Sequence, residues 1–418
     1  MTSHHDVLII GAGPAGAAAA YWLAKEGLDV VMVDKKLFPR EKTCGDGLTP
    51  RAVKQIHDMG LGDQLSQFHR YDGLRTTAHG KAIELHWPSH PIYPQHGYVV
   101  RRRELDTMVA RNAVAAGATL LEGHEALAPV LERGFVRGAT VQSEDTDTPF
   151  DITARYVIVA DGANSRFGRS LGTFRTKEWP YGTAIRTYWE TPRHAEPWIE
   201  SALDVKDRNG NPMPGYGWIF PLANGEVNVG VGTLATNKRP ADVNLRALMN
   251  TYADQQREDW KLSGDIRMPW SFLLPMGGAV SGIGGKNFMF IGDAAGCVNP
   301  LNGEGIDYGL ETGRLAAQML DTETDFTVAW PAELRTHYGY AFSIARRLAG
   351  LLTVPGLLPK AGPIGMRSRT VMKLALRVMG NLVTEEDSDA LARVWRTAGR
   401  LSVKFDDRVP FPAADVRV

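Results

Sequence analysis

Residues 7–34 read VLIIGAGPAGAAAAYWLAKEGLDVVMVD, and this stretch determines the architecture of the chain. Two short apolar runs typical of buried strands enclose a glycine-rich turn and an alanine-rich helical segment, which predicts a βαβ unit. Gly11, Gly13 and Gly16 have the GxGxxG spacing that lets a backbone approach a pyrophosphate at a helix N-terminus. Asp34 ends the second strand, where a carboxylate accepts hydrogen bonds from a ribose and disfavours a 2′-phosphate. The stretch therefore predicts an α/β dinucleotide-binding domain.

The composition excludes several classes of protein. The 418 residues include 47 basic and 47 acidic side chains and are 44% hydrophobic, which indicates a globular protein rather than a nucleic-acid binder or a disordered tail. Cys44 and Cys297 are too few for a secreted disulfide framework, so we expect a cytoplasmic protein and leave open whether the two thiols pair. The sequence predicts no signal peptide, no membrane-spanning segment and no metal site, because the necessary apolar runs and His or Cys spacings are missing.

Two further motifs favour FAD over a soluble nicotinamide cofactor. Residues 156–162 (YVIVADG) and 288–295 (FMFIGDAA) each end a short apolar strand in a turn that contains an aspartate. Together with residues 7–34 they resemble the three signatures of flavoproteins with the p-hydroxybenzoate hydroxylase fold. This resemblance implies that Asp293 binds the ribityl and pyrophosphate side of FAD. Since no second convincing dinucleotide unit follows, we expect the electron donor, NAD(P)H or a redox protein, to bind only transiently.

Within that superfamily, residues 5–320 resemble the geranylgeranyl reductase family, and above all the menaquinone reductases of actinobacteria. The shared motifs are Phe38-Pro39-Arg40, Cys44-Gly45-Asp46-Gly47, Arg102-x-x-x-Asp106, Tyr216-Gly-Trp218-Ile-Phe220-Pro221, Gly230-Val-Gly232 and Asn299-Pro300-x-x-Gly303-Glu304-Gly305-Ile306. The resemblance implies an FAD-dependent reductase that acts on CH–CH bonds and saturates one isoprene double bond in the side chain of menaquinone. The cofactor-binding residues that we predict are Gly11, Gly13, Pro14, Ala15, Gly16, Asp34, Cys44, Gly45, Asp46, Gly47, Arg102, Asp161, Gly162, Asp293, Gly303, Gly305 and Ile306.

Such a reaction needs an acid, because no carbonyl is conjugated with an isolated alkene and a hydride alone meets no electron sink. Protonation of the less substituted carbon leaves a tertiary cation, so we expect a dry cavity whose walls tolerate positive charge. Tyr216, Trp218 and Phe220 alternate along a predicted strand, where aromatic rings either fill a core or line an isoprenoid channel and stabilise a cation. The candidate proton donors are Tyr216, Cys44, Asp46 and Glu304, although Cys44 also suits a tight loop and Glu304 a helix cap.

The order of the motifs predicts the domain organisation. We expect a Rossmann-like FAD-binding domain of the p-hydroxybenzoate hydroxylase type from residues 1–75, 97–175 and 270–335. A mixed-sheet substrate domain is predicted from 76–96 and 176–269, with strand signals at 184–189, 216–221 and 226–232, and a helical C-terminal region from 336–418.

Other functions stay open on the sequence. The same fold suits an aromatic hydroxylase or halogenase, which consumes oxygen, and a reductase of geranylgeranyl diphosphate or another polyprenyl lipid. A diphosphate substrate requires a basic cluster at the cavity mouth, and none accompanies residues 216–221. A non-catalytic flavoprotein that binds lipid or carries electrons is the third alternative.

Residues 341–383 predict peripheral contact with the anionic inner face of the cell membrane, because seven basic and no acidic residues alternate with apolar ones there. The basic residues are Arg346, Arg347, Lys360, Arg367, Arg369, Lys373 and Arg377. The apolar ones are Leu351, Leu352, Leu357, Leu358, Met366, Val371, Met372, Leu374, Leu376 and Met379. A packed helical lid is the other interpretation of this segment, which three prolines divide.

Overall fold

In the glycine-rich turn the backbone approaches other backbone atoms so closely that there is no room for a side chain. Strand β1 (Ser3–Ile10) ends at Gly11, and helix α1 (Pro14–Lys25) follows. A Cβ on Gly16 would lie 1.9 Å from the Gly11 carbonyl oxygen, and one on Gly11 would lie 2.5 Å from the carbonyl oxygen of Ala160. Glycine is required at both positions, and the start of α1 is thereby held at the carboxyl end of the sheet.

A mainly parallel sheet forms the core of this first domain. Its apolar strands are buried because helices cover them, and Val7, Leu8 and Ile9 are fully buried. The further strands are β2 (Val30–Asp34), β8 (Thr119–Glu122), β9 (His124–Glu132), β10 (Phe135–Ser143), β11 (Phe150–Val159) and β19 (Phe288–Phe290). Their order is β8-β2-β1-β11-β10-β9, and β19 pairs in parallel with the second half of β11.

A second sheet is antiparallel except between β14 and β5. Its strands are β5 (Gly73–Ala78), β6 (Lys81–His86), β13 (Tyr181–Glu190), β14 (Trp198–Ala202), β15 (Gly215–Pro221), β16 (Glu226–Ala235) and β17 (Trp270–Pro275), in the order β17-β13-β16-β15-β14-β5-β6. Helix α6 (Leu245–Trp260) covers one face, where a Cβ on Gly217 would lie 2.4 Å from the Tyr252 ring. Side chains alternate along a strand, so the neighbours of Gly217 on β15 point to the opposite face.

Shorter elements connect the two sheets. Strands β3 (Gly47–Leu48), β7 (Gly97–Val99) and β4 (His69–Tyr71) form one small sheet, and β12 (Phe174–Arg175) pairs with β18 (Val280–Ser281). The helices of this part are α2 (Pro50–Asp58), α3 (Gly62–Leu65), α4 (Arg102–Ala115), α5 (Arg166–Ser170) and a 3₁₀ turn, Gly292–Ala295.

The C-terminal part is helical. Helix α7 (Ile306–Leu320) packs along α1, and it is followed by α8 (Phe326–Leu352), α9 (Arg369–Met379) and α10 (Ala390–Lys404). Helix α10 packs on α8, whereas α9 lies against β6 of the second sheet. No helix within the described ranges is both long enough and apolar enough to cross a bilayer.

The computed structural model describes residues 3–176, 179–240, 243–264, 270–354, 357, 362–363, 365–384, 386–406 and 409–412. Leu358 and Lys360 of the predicted membrane patch lie outside these residues. The predicted α/β architecture is confirmed, and the three predicted strand segments of the second domain lie in β13, β15 and β16. Two segments that the prediction places in the FAD-binding domain belong to the second sheet, since β17 (Trp270–Pro275) pairs with β13 and β5 begins at Gly73.

Three residues of the predicted basic patch have partners within the fold. Arg346 forms a 2.8 Å ion pair with Asp406, and Arg377 pairs with Asp387 and Asp389 at 3.0 and 2.6 Å. Arg347 donates to backbone and hydroxyl oxygens of α10 and the residue after it. Two of the seven basic residues are therefore neutralised by carboxylates from beyond residue 383, whereas Arg367, Arg369 and Lys373 are exposed.

Candidate active site

A cavity of about 560 Å³ lies between the two sheets and brings the sequence motifs together. All predicted cofactor, channel and proton-donor residues line it except Gly16, which sits behind the turn against the Gly11 backbone. Residues that the sequence analysis did not assign to the site also line it, including Arg40, Lys42, Trp87, Asn302, Leu376 and Met379.

One end of the cavity suits an adenine dinucleotide. The extended N-cap Gly13 of α1 has no side chain to accept from the first amides of the helix, which leaves that N-terminus available to a phosphate. Asp34 accepts hydrogen bonds from the amides of Ala12 and Lys36, both at 3.0 Å, so its carboxylate is fixed beside the turn. These features fit the pyrophosphate and a ribose of FAD.

A buried chain of charges connects this end with the next motif. The Arg40 guanidinium lies 3.3 Å from the Asp34 carboxylate and 3.0 Å from that of Asp106. Asp106 is fully buried and accepts two hydrogen bonds from Arg102, at 2.7 and 2.9 Å, one turn earlier on α4. The Arg102 guanidinium, predicted to contact the cofactor, therefore first serves to neutralise Asp106, as a buried carboxylate requires.

Two aspartates lie where the middle of FAD would be held. Asp293, in the 3₁₀ turn after β19, forms a 3.0 Å ion pair with Lys42 of the loop that precedes Cys44. The Oδ1 atom of Asp161 is buried and has no hydrogen-bond partner among the described residues. An unsatisfied acceptor on the cavity wall fits a ligand that donates hydrogen bonds, as ribose and ribityl hydroxyl groups do.

The other end of the cavity is aromatic. The Tyr216 and Trp218 rings have centroids 5.8 Å apart, and those of Trp218 and Phe220 are 6.4 Å apart, so the three side chains share one face of β15. A Cβ on Gly45 or Gly47 would lie 3.0 Å from the Phe220 ring. The glycines of the Cys-Gly-Asp-Gly loop therefore allow that loop to pack closely against the aromatic wall.

A residue missed by the sequence analysis joins this loop to the wall. Asn228, on β16, accepts from the Trp218 indole N–H at 2.9 Å and donates to the Cys44 carbonyl and the Asp46 carboxylate at 2.9 and 2.7 Å. Asp46 also accepts from the Tyr188 hydroxyl at 2.7 Å. The only local signal for Asn228 was a polar residue in an apolar strand, because its partners in the loop are more than 180 residues away.

The candidate proton donors differ in their hydrogen bonds and charge. Asp46 has a left-handed backbone (φ 67°) and also accepts the Arg102 amide at 3.3 Å, so three donors engage its carboxylate. Burial raises the pKa of Asp46, and this effect exceeds the opposing effects of Arg186 and of the hydrogen bonds from Tyr188 and Asn228. The Tyr216 hydroxyl donates to the Asn302 carbonyl at 2.5 Å, and burial raises the pKa of Tyr216 and of the Cys44 thiol.

Glu304 precedes α7 and combines two environments. One carboxylate oxygen accepts the amides of Ile306 and Asp307 at 3.0 and 3.4 Å, as predicted for a helix cap. Burial, and next the neighbouring Asp307 carboxylate, raise the pKa of Glu304, and these effects exceed the opposing effect of the two amides. Glu304 is thus a carboxyl group on the cavity wall that holds its proton more tightly than usual.

Comparison with known proteins assigns this arrangement to a class. The sequence model of the FAD binding domain family matches residues 4–321, and the chain belongs to this family. The predicted FAD cofactor and the prediction of an FAD-dependent oxidoreductase are thereby confirmed.

Similar proteins narrow the assignment further than the match to the FAD-binding domain. The chain is 52% identical to a menaquinone reductase of Mycolicibacterium smegmatis, over 98% of this chain and 100% of that protein. It is 31% identical to a digeranylgeranylglycerophospholipid reductase of Methanosphaerula palustris, over 76% and 77% of the two chains. A solved structure of a geranylgeranyl bacteriochlorophyll reductase-like protein from Thermoplasma acidophilum has the same fold, with a TM-score of 0.73 at 22% identity over 97% and 98% of the chains. The predicted resemblance to the geranylgeranyl reductase family is confirmed.

We expect Asp293→Ala to weaken FAD binding by about 10- to 100-fold, because hydrogen bonds to a charged group contribute about 1.5–3 kcal/mol. The dissociation constant of FAD, measured on apoprotein by flavin fluorescence, checks this. Trp218→Ala is the matched control from the aromatic end, and its affinity for FAD should stay that of the wild type. Unchanged FAD affinity in a folded Asp293→Ala protein would restrict Asp293 to a structural role in the turn.

Proposed function

We propose that this protein saturates one isoprene double bond in the polyprenyl side chain of menaquinone. The observation that carries the proposal is the aromatic wall of Tyr216, Trp218 and Phe220, which packs against the Cys-Gly-Asp-Gly loop in the same cavity as the FAD motifs. The 52% identity with a menaquinone reductase over the full chain supports this substrate.

The cavity supports an apolar substrate that extends beyond the flavin. Past the aromatic wall it is lined by Leu74, Trp87 and Ile199, and by Leu376 and Met379 of α9. An isoprenoid tail gains free energy in such a passage through the burial of hydrocarbon, at roughly 25 cal/mol per Å². The polar end then holds the cofactor and the apolar end the tail.

The chemistry divides between cofactor and protein. Reduced FAD, when bound, supplies the hydride for the more substituted carbon of the alkene. Glu304 donates a proton to the less substituted carbon, so that two hydrogens are added and one C=C bond becomes a single bond. The faces of Trp218 and Phe220 stabilise the tertiary cation, an effect worth about 2 kcal/mol in a desolvated site.

Glu304 is the best supported of the four candidate donors because it combines a raised pKa with the intrinsic acidity of a carboxyl group. Burial also raises the pKa of Asp46, but its carboxylate already accepts hydrogen bonds from three donors within the protein, so Asp46 is less available to substrate. The thiol of Cys44 and the phenol of Tyr216 are neutral but are intrinsically weaker acids than a carboxyl group, and burial weakens them further. Protonation of an alkene favours the strongest acid that is still protonated near neutral pH.

Another polyprenyl lipid is the second candidate substrate, since a digeranylgeranylglycerophospholipid reductase is 31% identical to the chain. The electron donor that we propose is NAD(P)H or a redox protein that binds transiently. A hydroxylase or halogenase would need oxygen, so anaerobic turnover separates it from a reductase.

The purified protein, loaded with FAD and reduced with dithionite without oxygen, should convert menaquinone into a product two mass units heavier. Mass spectrometry with fragmentation of the side chain, after reoxidation of the quinone ring, locates the two added hydrogens. Conversion of geranylgeranyl lipids instead of menaquinone would assign the second substrate. Binding of either lipid with no change in mass would contradict a reductase function.

We expect Glu304→Gln to retain FAD and to lose about 10²- to 10⁴-fold in turnover, the usual contribution of a general acid. Because the raised pKa keeps Glu304 protonated at neutral pH, wild-type turnover should be highest below that pKa and fall as the pH rises through it. The pH profile of side-chain saturation in a single turnover, measured by mass spectrometry, checks this. A Glu304→Gln protein with the wild-type rate and the same alkaline decline would exclude Glu304 as the donor.

We further propose that α9 contacts an anionic membrane surface on the cytoplasmic side. Helix α9 buries Leu376 toward the cavity and exposes Val371 (50%) and Leu374 (43%) on its other side. Arg367, Arg369 and Lys373 are exposed on or just before the same helix. A helix that lines the tail passage and presents basic and apolar side chains outward suits the transfer of a lipid from a bilayer.

Flotation with liposomes that contain phosphatidylglycerol should recover the wild-type protein at low salt. Neutralising Arg367 and Lys373 to Gln should weaken binding by about 30-fold, since each basic residue near an anionic surface contributes about 1 kcal/mol. The matched control neutralises Arg393 and Arg400, which are exposed on α10. Loss of binding in the control alone would move the contact to α10, and a wild type that never floats would refute membrane docking.

A further inference from the structure

Both the oxygen and the nitrogen of the Asn228 side-chain amide form hydrogen bonds at the junction between the two domains. It is fully buried, its oxygen accepts from the Trp218 indole, and its nitrogen donates to the Cys44 carbonyl and to Asp46. The indole belongs to the aromatic wall, whereas the carbonyl and the carboxylate belong to the loop that follows Lys42. One side chain therefore fixes the distance between a ring on the substrate sheet and the loop of the FAD domain.

The surroundings of Asn228 explain why an amide is required. The buried carboxylate of Asp46 needs a hydrogen-bond donor, and the Trp218 indole N–H needs an acceptor. An amide supplies both from one side chain. The titratable and charged groups that face this point are Cys44 and Asp46 of the loop, Arg102 and Glu104 of α4, Arg186 and Tyr188 of β13, and Glu304 before α7, which acts on Cys44. Because Glu304 also titrates in the wild type, each variant is compared with the wild type at the same pH. Neither a carboxylate nor a hydrocarbon at position 228 satisfies the loop and the indole together.

We propose that Asn228 is a positioning residue, which holds the Trp218 ring and the Cys44–Asp46 loop in the register that places an alkene against the flavin. Misplacement of a reacting group by about 1 Å costs on the order of 100-fold in rate, so such a residue acts on turnover without touching substrate. The expected effect on turnover rests on the proposed reductase function. The expected effect on the position of the Cys44–Asp46 loop does not.

Asn228→Asp gives a signature that a merely structural residue would not give. The new carboxyl group stands next to Asp46 in a buried site, where desolvation and the like charge favour its protonated form. While protonated it donates to Asp46 and accepts from the indole, and once ionised it repels Asp46. The turnover of the variant relative to wild type should therefore fall as pH rises, by about tenfold or more across neutrality, since adjacent carboxyl groups interact by more than about one pKa unit.

The matched control is Asn287→Asp. Asn287 is equally buried (3% exposed) and makes three hydrogen bonds, but to the backbone of Val136 and Arg155 in the FAD-domain sheet. Single-turnover rates of side-chain saturation per bound flavin are measured for both Asp variants and for Asn228→Leu between about pH 6 and pH 8.5. We expect Asn228→Leu to be slow at every pH, Asn287→Asp to follow the wild-type profile, and only Asn228→Asp to recover toward low pH.

Alkylation of Cys44 reports on the loop without any substrate. Cys44 is partly buried on the cavity wall and Cys297 is fully buried, so Cys297 serves as an internal reference in the same protein. Asn228→Leu should increase the rate of alkylation of Cys44 by N-ethylmaleimide several-fold when proteins with equal FAD content are compared, with the rate for Cys297 unchanged. Unchanged Cys44 reactivity together with a wild-type pH profile in Asn228→Asp would overturn the proposal, whereas a wild type that does not reduce menaquinone refutes the proposed substrate alone.

Discussion

The buried carboxylate of Asp106 is the interaction on which the geometry of the cavity depends. It lies between the guanidinium groups of Arg40 and Arg102, and through them it connects Asp34 at the glycine turn with the loop that carries Asp46. Removal of one partner from a buried ion pair costs about 3–5 kcal/mol, because the remaining charge is left unpaired. The ends of β2 and α4 and the two loops around them are therefore held as one unit, into which a cofactor with a negative pyrophosphate can fit.

The two ends of the cavity follow different physical rules. At the dinucleotide end, backbone amides, a helix N-terminus and paired charges make a polar and rigid surface that does not depend on large side chains. The aromatic end presents mainly the surfaces of rings. Its polar groups, such as the Asp46 carboxylate and the Tyr216 hydroxyl, form hydrogen bonds with other groups of the protein. Glu304 stands between these environments, where capping of α7 orients the carboxyl group and burial keeps its proton.

Local chemistry made much of this structure predictable from sequence. The glycine turn, the strand that ends in Asp34 and the aromatic alternation at 216–220 each depend on residues that are close along the chain. The contacts of Asn228 and Tyr188 with the loop of residues 44–46 could not be predicted, because that loop is more than 140 residues away and a single polar residue in an apolar strand carries no spacing. The pairing of Arg346 and Arg377 was not predicted either, since their acidic partners lie beyond residue 383.

The C-terminal helices show how a general FAD-binding fold acquires an apolar passage. The family match ends at residue 321, yet α9 contributes Leu376 and Met379 to the cavity wall. The turn after α9 is tied to the FAD domain where Asn302 donates to the Met379 carbonyl at 2.5 Å and Asn381 donates to Asp307 at 3.1 Å. Because Asp307 also raises the pKa of Glu304, the turn after α9 is connected through one hydrogen bond to the carboxyl pair at the start of α7. The position of Asn381 and the pKa of Glu304 are therefore physically linked, since loss of the Asn381 donor would leave the Asp307 carboxylate without one of the contacts that lower its own pKa.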